Sequence, residues 1–191
     1  ILDRPESKEV LHIIRLGAPP AIFNIGYACV NMIISRIIVT FGDAAIAIQK
    51  IGGQIESLTW MTGEGFSYSM SAITSQNYGA GNYERVRKGF LTGAGMMTVF
   101  GILVTALLVL GAAPIFGLFI HEPDIIAGGA GYLRIVGLSQ LFMCYELATT
   151  GAFNGLGQTK LPAALGLILT VARIPLCYAL MPVMGINGVW W

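Results

Sequence analysis

Three carboxylates, Glu56, Glu64 and Glu146, stand inside otherwise apolar stretches of this 191-residue chain. A charge in a helix that crosses hydrocarbon costs at least about 2.5–3.5 kcal/mol, so it faces a partner or a watery cavity and marks a pathway. Gln49 lies seven residues before Glu56, and Glu64 eight after it. At 3.6 residues per turn all three fall on roughly one helix face, with Trp60 between the two acids. A second polar stripe, Asn24, Tyr27, Asn31 and Ser35, recurs at three- and four-residue steps. Two such stripes invite a shared cavity, and Glu56, Glu64, Glu146, Asn24, Asn31 and Gln49 are its candidate cation- and substrate-binding residues. A buried carboxylate suits a coupling ion, because desolvation disfavours its charge and an arriving cation restores it. Either H⁺ or Na⁺ would serve; spacing does not separate them, since a Na⁺ shell also draws on backbone carbonyls and amides. The competing readings are interhelical hydrogen bonding for Asn24 and Asn31, and an ion pair with Arg173 on the following span for Glu146.

Other chemistries find little footing. There is no His-Glu-x-x-His, no Gly-x-Ser-x-Gly and no paired acidic metal motif, which argues against an intramembrane enzyme. Cys29, Cys144 and Cys177 are widely spaced within apolar stretches and read as small packing residues rather than a disulfide or zinc framework. A formal net charge of +1 gives no reason to expect nucleic acid as a partner. No cofactor is expected beyond the coupling ion.

The elements that must position these residues follow from apolar length. With 55% hydrophobic and only 11% charged residues, the chain cannot build the water-exposed surface of a soluble domain, where charge is nearer a quarter. A spanning helix needs about 20 mainly apolar residues, and such windows fit five times, over about 18–41, 44–75, 90–119, 125–153 and 161–184, with a sixth opening at Gly188. The second, with Lys50, Glu56 and Glu64, is the least conventional. Pro114 and Pro175 fall inside windows and predict kinks. The fold class is therefore an all-α integral membrane bundle of five to six transmembrane helices. The chain begins at Ile1 and stops within an apolar run, so both ends read as cuts in a longer protein.

Charge sets the orientation. Arg4, Lys8 and Arg15 precede the first window, Arg85, Arg87 and Lys88 separate the second from the third, and Lys160 separates the fourth from the fifth, which places those connections in the cytoplasm. The alternate connections, Gly42-Asp43 and 121–124, lack Lys and Arg and face outward. Asp43 and Asp124 each precede an apolar run and read as helix caps. Glycine is abundant, 25 residues, and small residues let membrane helices approach closely and slide. Gly155-Leu156-Gly157 reads as the close of a membrane helix rather than a phosphate loop, because no strand precedes it.

Three stretches carry a resemblance. Thr74-Ser75-Gln76-Asn77-Tyr78-Gly79-Ala80-Gly81-Asn82 with the basic run Arg85-Val86-Arg87-Lys88, then Gly151-Ala152-Phe153-Asn154-Gly155-Leu156-Gly157-Gln158-Thr159-Lys160 with Pro162, and then Arg15-Leu16-Gly17-Ala18-Pro19 with Gly42-Asp43-Ala44-Ala45-Ile46-Ala47, stand in an order and spacing that resembles a lobe of the multidrug and toxic compound extrusion (MATE) transporters. The likeness covers essentially the whole chain. Such transporters have two six-helix lobes, twelve helices in all. Arg173-Ile174-Pro175-Leu176 and the closing 185–191 look like the second lobe, which makes residues 1–15 the end of an inter-lobe cytoplasmic loop and 16–191 a truncated C-terminal lobe, helices seven to eleven and the start of twelve.

The resemblance implies a multi-pass protein of the plasma membrane. It implies export of small organic molecules, drugs or metabolites, in exchange for Na⁺ or H⁺, with the N-terminal lobe and the lipid bilayer as partners. Three intramembrane acids against Arg134 and Arg173 favour cationic cargo. Several branches place one carboxylate on the seventh helix and another on the tenth. Here the seventh offers Asn24, Asn31 and Ser35 but no acid, and Glu146 is about one turn from the family's position on the tenth. Glu56 and Glu64 on the eighth stand in their place. A flippase for lipid-linked precursors of the same superfamily is the alternative, with a non-transporting accessory membrane protein behind it.

Overall fold

The computed structural model describes residues 7–190. Seven helices follow in order: α1 (Ser7–Val39), α2 (Asp43–Gly79), α3 (Tyr83–Leu110), α4 (Ala112–Gly117), α5 (Pro123–Gly155), α6 (Lys160–Met184) and α7 (Asn187–Trp190). The first helix opens at Ser7 rather than near residue 18, so residues 7–15 of the expected loop are helical, while residues 1–6 of that loop lie outside the described part. The third window divides. Its helix closes at Leu110, with Gly111 donating back to the Leu107 carbonyl, and Pro114 sits in the separate short α4.

Four helices, α1 from Lys8, α3, α5 and α6, are long and apolar enough to cross a membrane. The remaining window, α2, at 37 residues the longest helix, does not meet that measure of length and hydropathy, carrying Lys50, Glu56, Glu64 and many Ser, Thr and Gln side chains. Its extended packing against α5 and α3, both apolar spans, nevertheless sets it at their depth. Asp43 and Asp124 fall in the first turns of α2 and α5 and make no capping hydrogen bond, so their contribution there is charge beside the helix dipole alone.

The helices form two sets. α5 is the spine of one, lying against α2 and α3, and α1 with α6 makes the other. Small residues set both contacts. A Cβ at Gly151 would run into the Ser67 carbonyl, and one at Gly166 would meet the Phe23 ring at 2.8 Å. α7 tucks back across α6, placing Val189 in the apolar core of the second set and Trp190 in that of the first.

Two corners close with the same device. After α2, Asn82 N–H donates to the Asn77 carbonyl (2.9 Å) and Gly81 N–H to that of Tyr78 (3.0 Å), with Gly81 at φ 74°. After α5, Gln158 N–H donates to Phe153 (2.9 Å) and Gly157 N–H to Asn154 (3.0 Å), with Gly157 also at φ 74°. Both are Schellman caps, which need a residue in the left-handed region at that step. The Gly-Ala-Gly-Asn and Gly-Leu-Gly-Gln stretches are thus helix stops.

Candidate functional site

Between the two helix sets, Glu56 of α2 is half-buried with both carboxylate oxygens engaged. The Trp60 indole N–H, one turn on, donates to Oε1 at 3.3 Å. The Tyr132 hydroxyl of α5 donates to Oε2, also at 3.3 Å. Tyr132 is 3% exposed, and its ring stands edge-on to Trp190 with centroids 5.3 Å apart. It reaches the carboxylate because Gly52 leaves room: a Cβ there would overlap the ring.

Further polar groups complete the surroundings. Gln140, eight residues after Tyr132 on α5, is wholly buried and lies beside the same carboxylate; its amide N–H donates to the Val136 carbonyl at 3.2 Å, and its Oε1 has no partner. Arg173 of α6 is close enough for its charge to act on both Glu56 and Tyr132, without a direct ion pair. Tyr27 of α1 packs on Trp60, centroids 6.4 Å apart, and Phe23 continues the row at 6.1 Å from Tyr27. Helices α1, α2, α5, α6 and α7 therefore all contribute to one carboxylate-centred, aromatic-walled site.

The other expected residues are placed differently. Gln49 is half-buried on α2 with its Oε1 unpartnered, but seven residues put it about 10 Å along the axis from Glu56. Asn31 is half-buried, whereas Asn24, Glu64 and Glu146 are exposed on this lobe. None of these five has a side-chain hydrogen bond or ion pair to Glu56 among the described residues. The Glu146–Arg173 pair is likewise absent; the ion pair among the described residues is Glu84–Lys88 at 2.7 Å, at the surface. Tyr132, Gln140 and Trp190 were missed by reasoning on carboxylates. Their signal was a Tyr and a Gln at helical spacing inside an apolar run, each carrying polar atoms that must find a partner. No three His, Cys, Asp or Glu side chains gather into a metal centre among the described residues.

A multi-pass helical bundle with a carboxylate held between helices defines a class, the polytopic membrane proteins. Within it, the MatE family model matches residues 19–179, and this chain belongs to that family. It is 28% identical over 189 residues to the probable multidrug resistance protein NorM of Thermotoga maritima, covering 97% of this chain and 41% of that protein. It is 26% identical over 152 residues to human multidrug and toxin extrusion protein 1, covering 78% and 27%. Among solved structures, a MOP superfamily transporter from Pyrococcus furiosus superposes with a TM-score of 0.87 at 20% identity, over 97% of this chain and 43% of that one. A MATE structure in the bent conformation gives 0.88 at 19%, over 98% and 42%. The chain thus spans about two fifths of the NorM relative it matches, and its fold is that of one lobe of such a transporter.

Proposed function

We propose that this chain is the C-terminal lobe of a plasma-membrane multidrug efflux antiporter that exports organic cations in exchange for Na⁺ or H⁺, with Glu56 as the residue that couples the two fluxes. The names of the relatives support the efflux reading. The observation that carries the assignment within this lobe is the Glu56 carboxylate, set between helix sets with a donor on each oxygen. An anion at this depth must be neutralised or held. Trp60 and Tyr132 hold it without neutralising it, and the buried Gln140 amide beside it adds a further neutral polar group to the surroundings. The Phe23, Tyr27 and Trp60 row supplies π faces suited to an organic cation.

The test is ethidium efflux from vesicles bearing the full-length protein to which this lobe belongs, under separately imposed Na⁺ and proton gradients. One gradient should drive efflux, Glu56→Gln should abolish it, and Glu64→Gln and Glu146→Gln should retain most of it. Wild-type efflux from Glu56→Gln sinks the coupling role, and no efflux under either gradient sinks drug antiport.

A further inference from the structure

At the end of the bundle where the first turns of α3 carry Arg85, Arg87 and Lys88, a cavity of about 380 Å³ opens between the close of α2, the start of α3 and the close of α5. Its walls change character with depth. Tyr78 and Tyr83, 47% and 65% exposed, stand edge-to-face at 5.5 Å at the mouth, and Arg87 is the one charged residue lining it. Deeper lie the half-buried rings of Phe90 and Phe153. Thr74 also lines it, 1% exposed, with its hydroxyl lacking any hydrogen-bond partner. A helical threonine ordinarily gives that hydroxyl to the preceding turn.

We infer that this groove is a binding site for an anionic glycerophospholipid of the cytoplasmic leaflet. The positive-inside rule puts this end at the inner surface, and tyrosine pairs mark the headgroup level there. From Tyr83 to Phe90 the groove descends about 10 Å along α3, enough to pass through a headgroup region roughly 5–8 Å thick into hydrocarbon. Arg87 meets the phosphate, the Thr74 hydroxyl donates to an ester carbonyl, and Phe90 and Phe153 flank the first methylenes. No carboxylate lines the groove to repel the phosphate. Glu84, the nearest acid in sequence, is held by Lys88. Basic pockets between helices on this side are the general form of anionic-lipid recognition.

The experiment is native mass spectrometry of the purified full-length protein, titrated with dioleoyl phosphatidylglycerol or dioleoyl phosphatidylcholine. The wild type should retain the anionic lipid about fivefold better, the factor expected of one well-placed cation. Arg87→Gln should erase that preference, while Arg85→Gln, which removes the same charge outside the groove, should keep it. Ala152→Trp, filling the groove, should reduce retention of both lipids; if that variant does not fold, Thr74→Val should weaken retention of both at unchanged volume. Equal loss in Arg85→Gln and Arg87→Gln would reduce the effect to bulk surface charge and overturn the site. Unchanged retention in both Arg87→Gln and Thr74→Val would also overturn it, as would a groove already filled by another part of the full-length chain.

Discussion

Gly52 of α2 and Tyr132 of α5 meet with no side chain between them, the tyrosine ring filling the space a Cβ at position 52 would need. The ring has little freedom to yield, being 3% exposed and held against Trp190. Gly52→Ala should therefore lower stability by about 1–3 kcal/mol, the usual cost of overpacking, and pull the Tyr132 hydroxyl from Glu56. Gly53→Ala is the control, because a Cβ there meets nothing within 4 Å; it should hold or raise the melting temperature of the detergent-solubilised protein. Equal melting temperatures for the two variants would contradict the packing.

How far the sequence was legible divides along the same line. Helices could be placed because apolar length dictates them, and Glu56 could be named, together with Glu64 and Glu146, because a charge in such a run demands a partner. Its partner could not, since Tyr132 lies 76 residues away and only the α2–α5 crossing brings it near. Glu64 stands apart from Glu56 for a geometric reason: eight residues rotate about 80° around a helix beyond two full turns, enough to turn it from the packed face to the exposed one. Seven residues return much closer to the starting face, and Gln49 is accordingly half-buried. The break at Gly111 was hidden because glycine and proline are both tolerated within membrane helices.

Tyr132→Phe keeps the ring and removes the donor. Losing a hydrogen bond to a charged group costs about 1.5–3 kcal/mol, and on the proposed coupling role the variant should shift the cation concentration for half-maximal efflux while leaving the fold intact. Ethidium efflux measured across a cation titration, with circular dichroism as the check on folding, decides this; an unaltered midpoint would remove Tyr132 from the site.

Where α2 and α5 cross, the obstacle is backbone. A Cβ on Gly155 would meet the Ser71 carbonyl at 2.5 Å, and one on Gly151 the Ser67 carbonyl, neither of which can rotate aside. Gly151→Ala should destabilise by about 1–3 kcal/mol or more, whereas Gly131→Ala on the same helix, open within 4 Å, should not. Thermal melts of both variants test whether these helices are packed backbone to backbone.

Thiol chemistry offers an independent reading of burial. Cys144 is fully buried and Cys177 is 4% exposed, while Cys29 is exposed on α1. A small maleimide should modify Cys29 in the folded protein and reach the other two only after denaturation, as peptide mapping would show. Labelling of Cys144 in the native state would mean that the α3–α5 core is open.

The matched caps at Gly81 and Gly157 have a mechanical consequence. Each reverses the chain within a few residues and binds the reversal with two backbone hydrogen bonds, so neither corner holds spare length that could be paid out as a hinge. Bending in this lobe is thereby kept from these two corners, and the helix interiors offer places for it where Pro19 and Pro20 in α1 and Pro175 and Pro182 in α6 remove backbone donors. Both long helices with prolines in their interiors belong to the α1–α6 set, whereas the proline of α5 sits at its first position, which makes the α1–α6 pair the compliant half of the lobe and the α2–α3–α5 set its rigid frame.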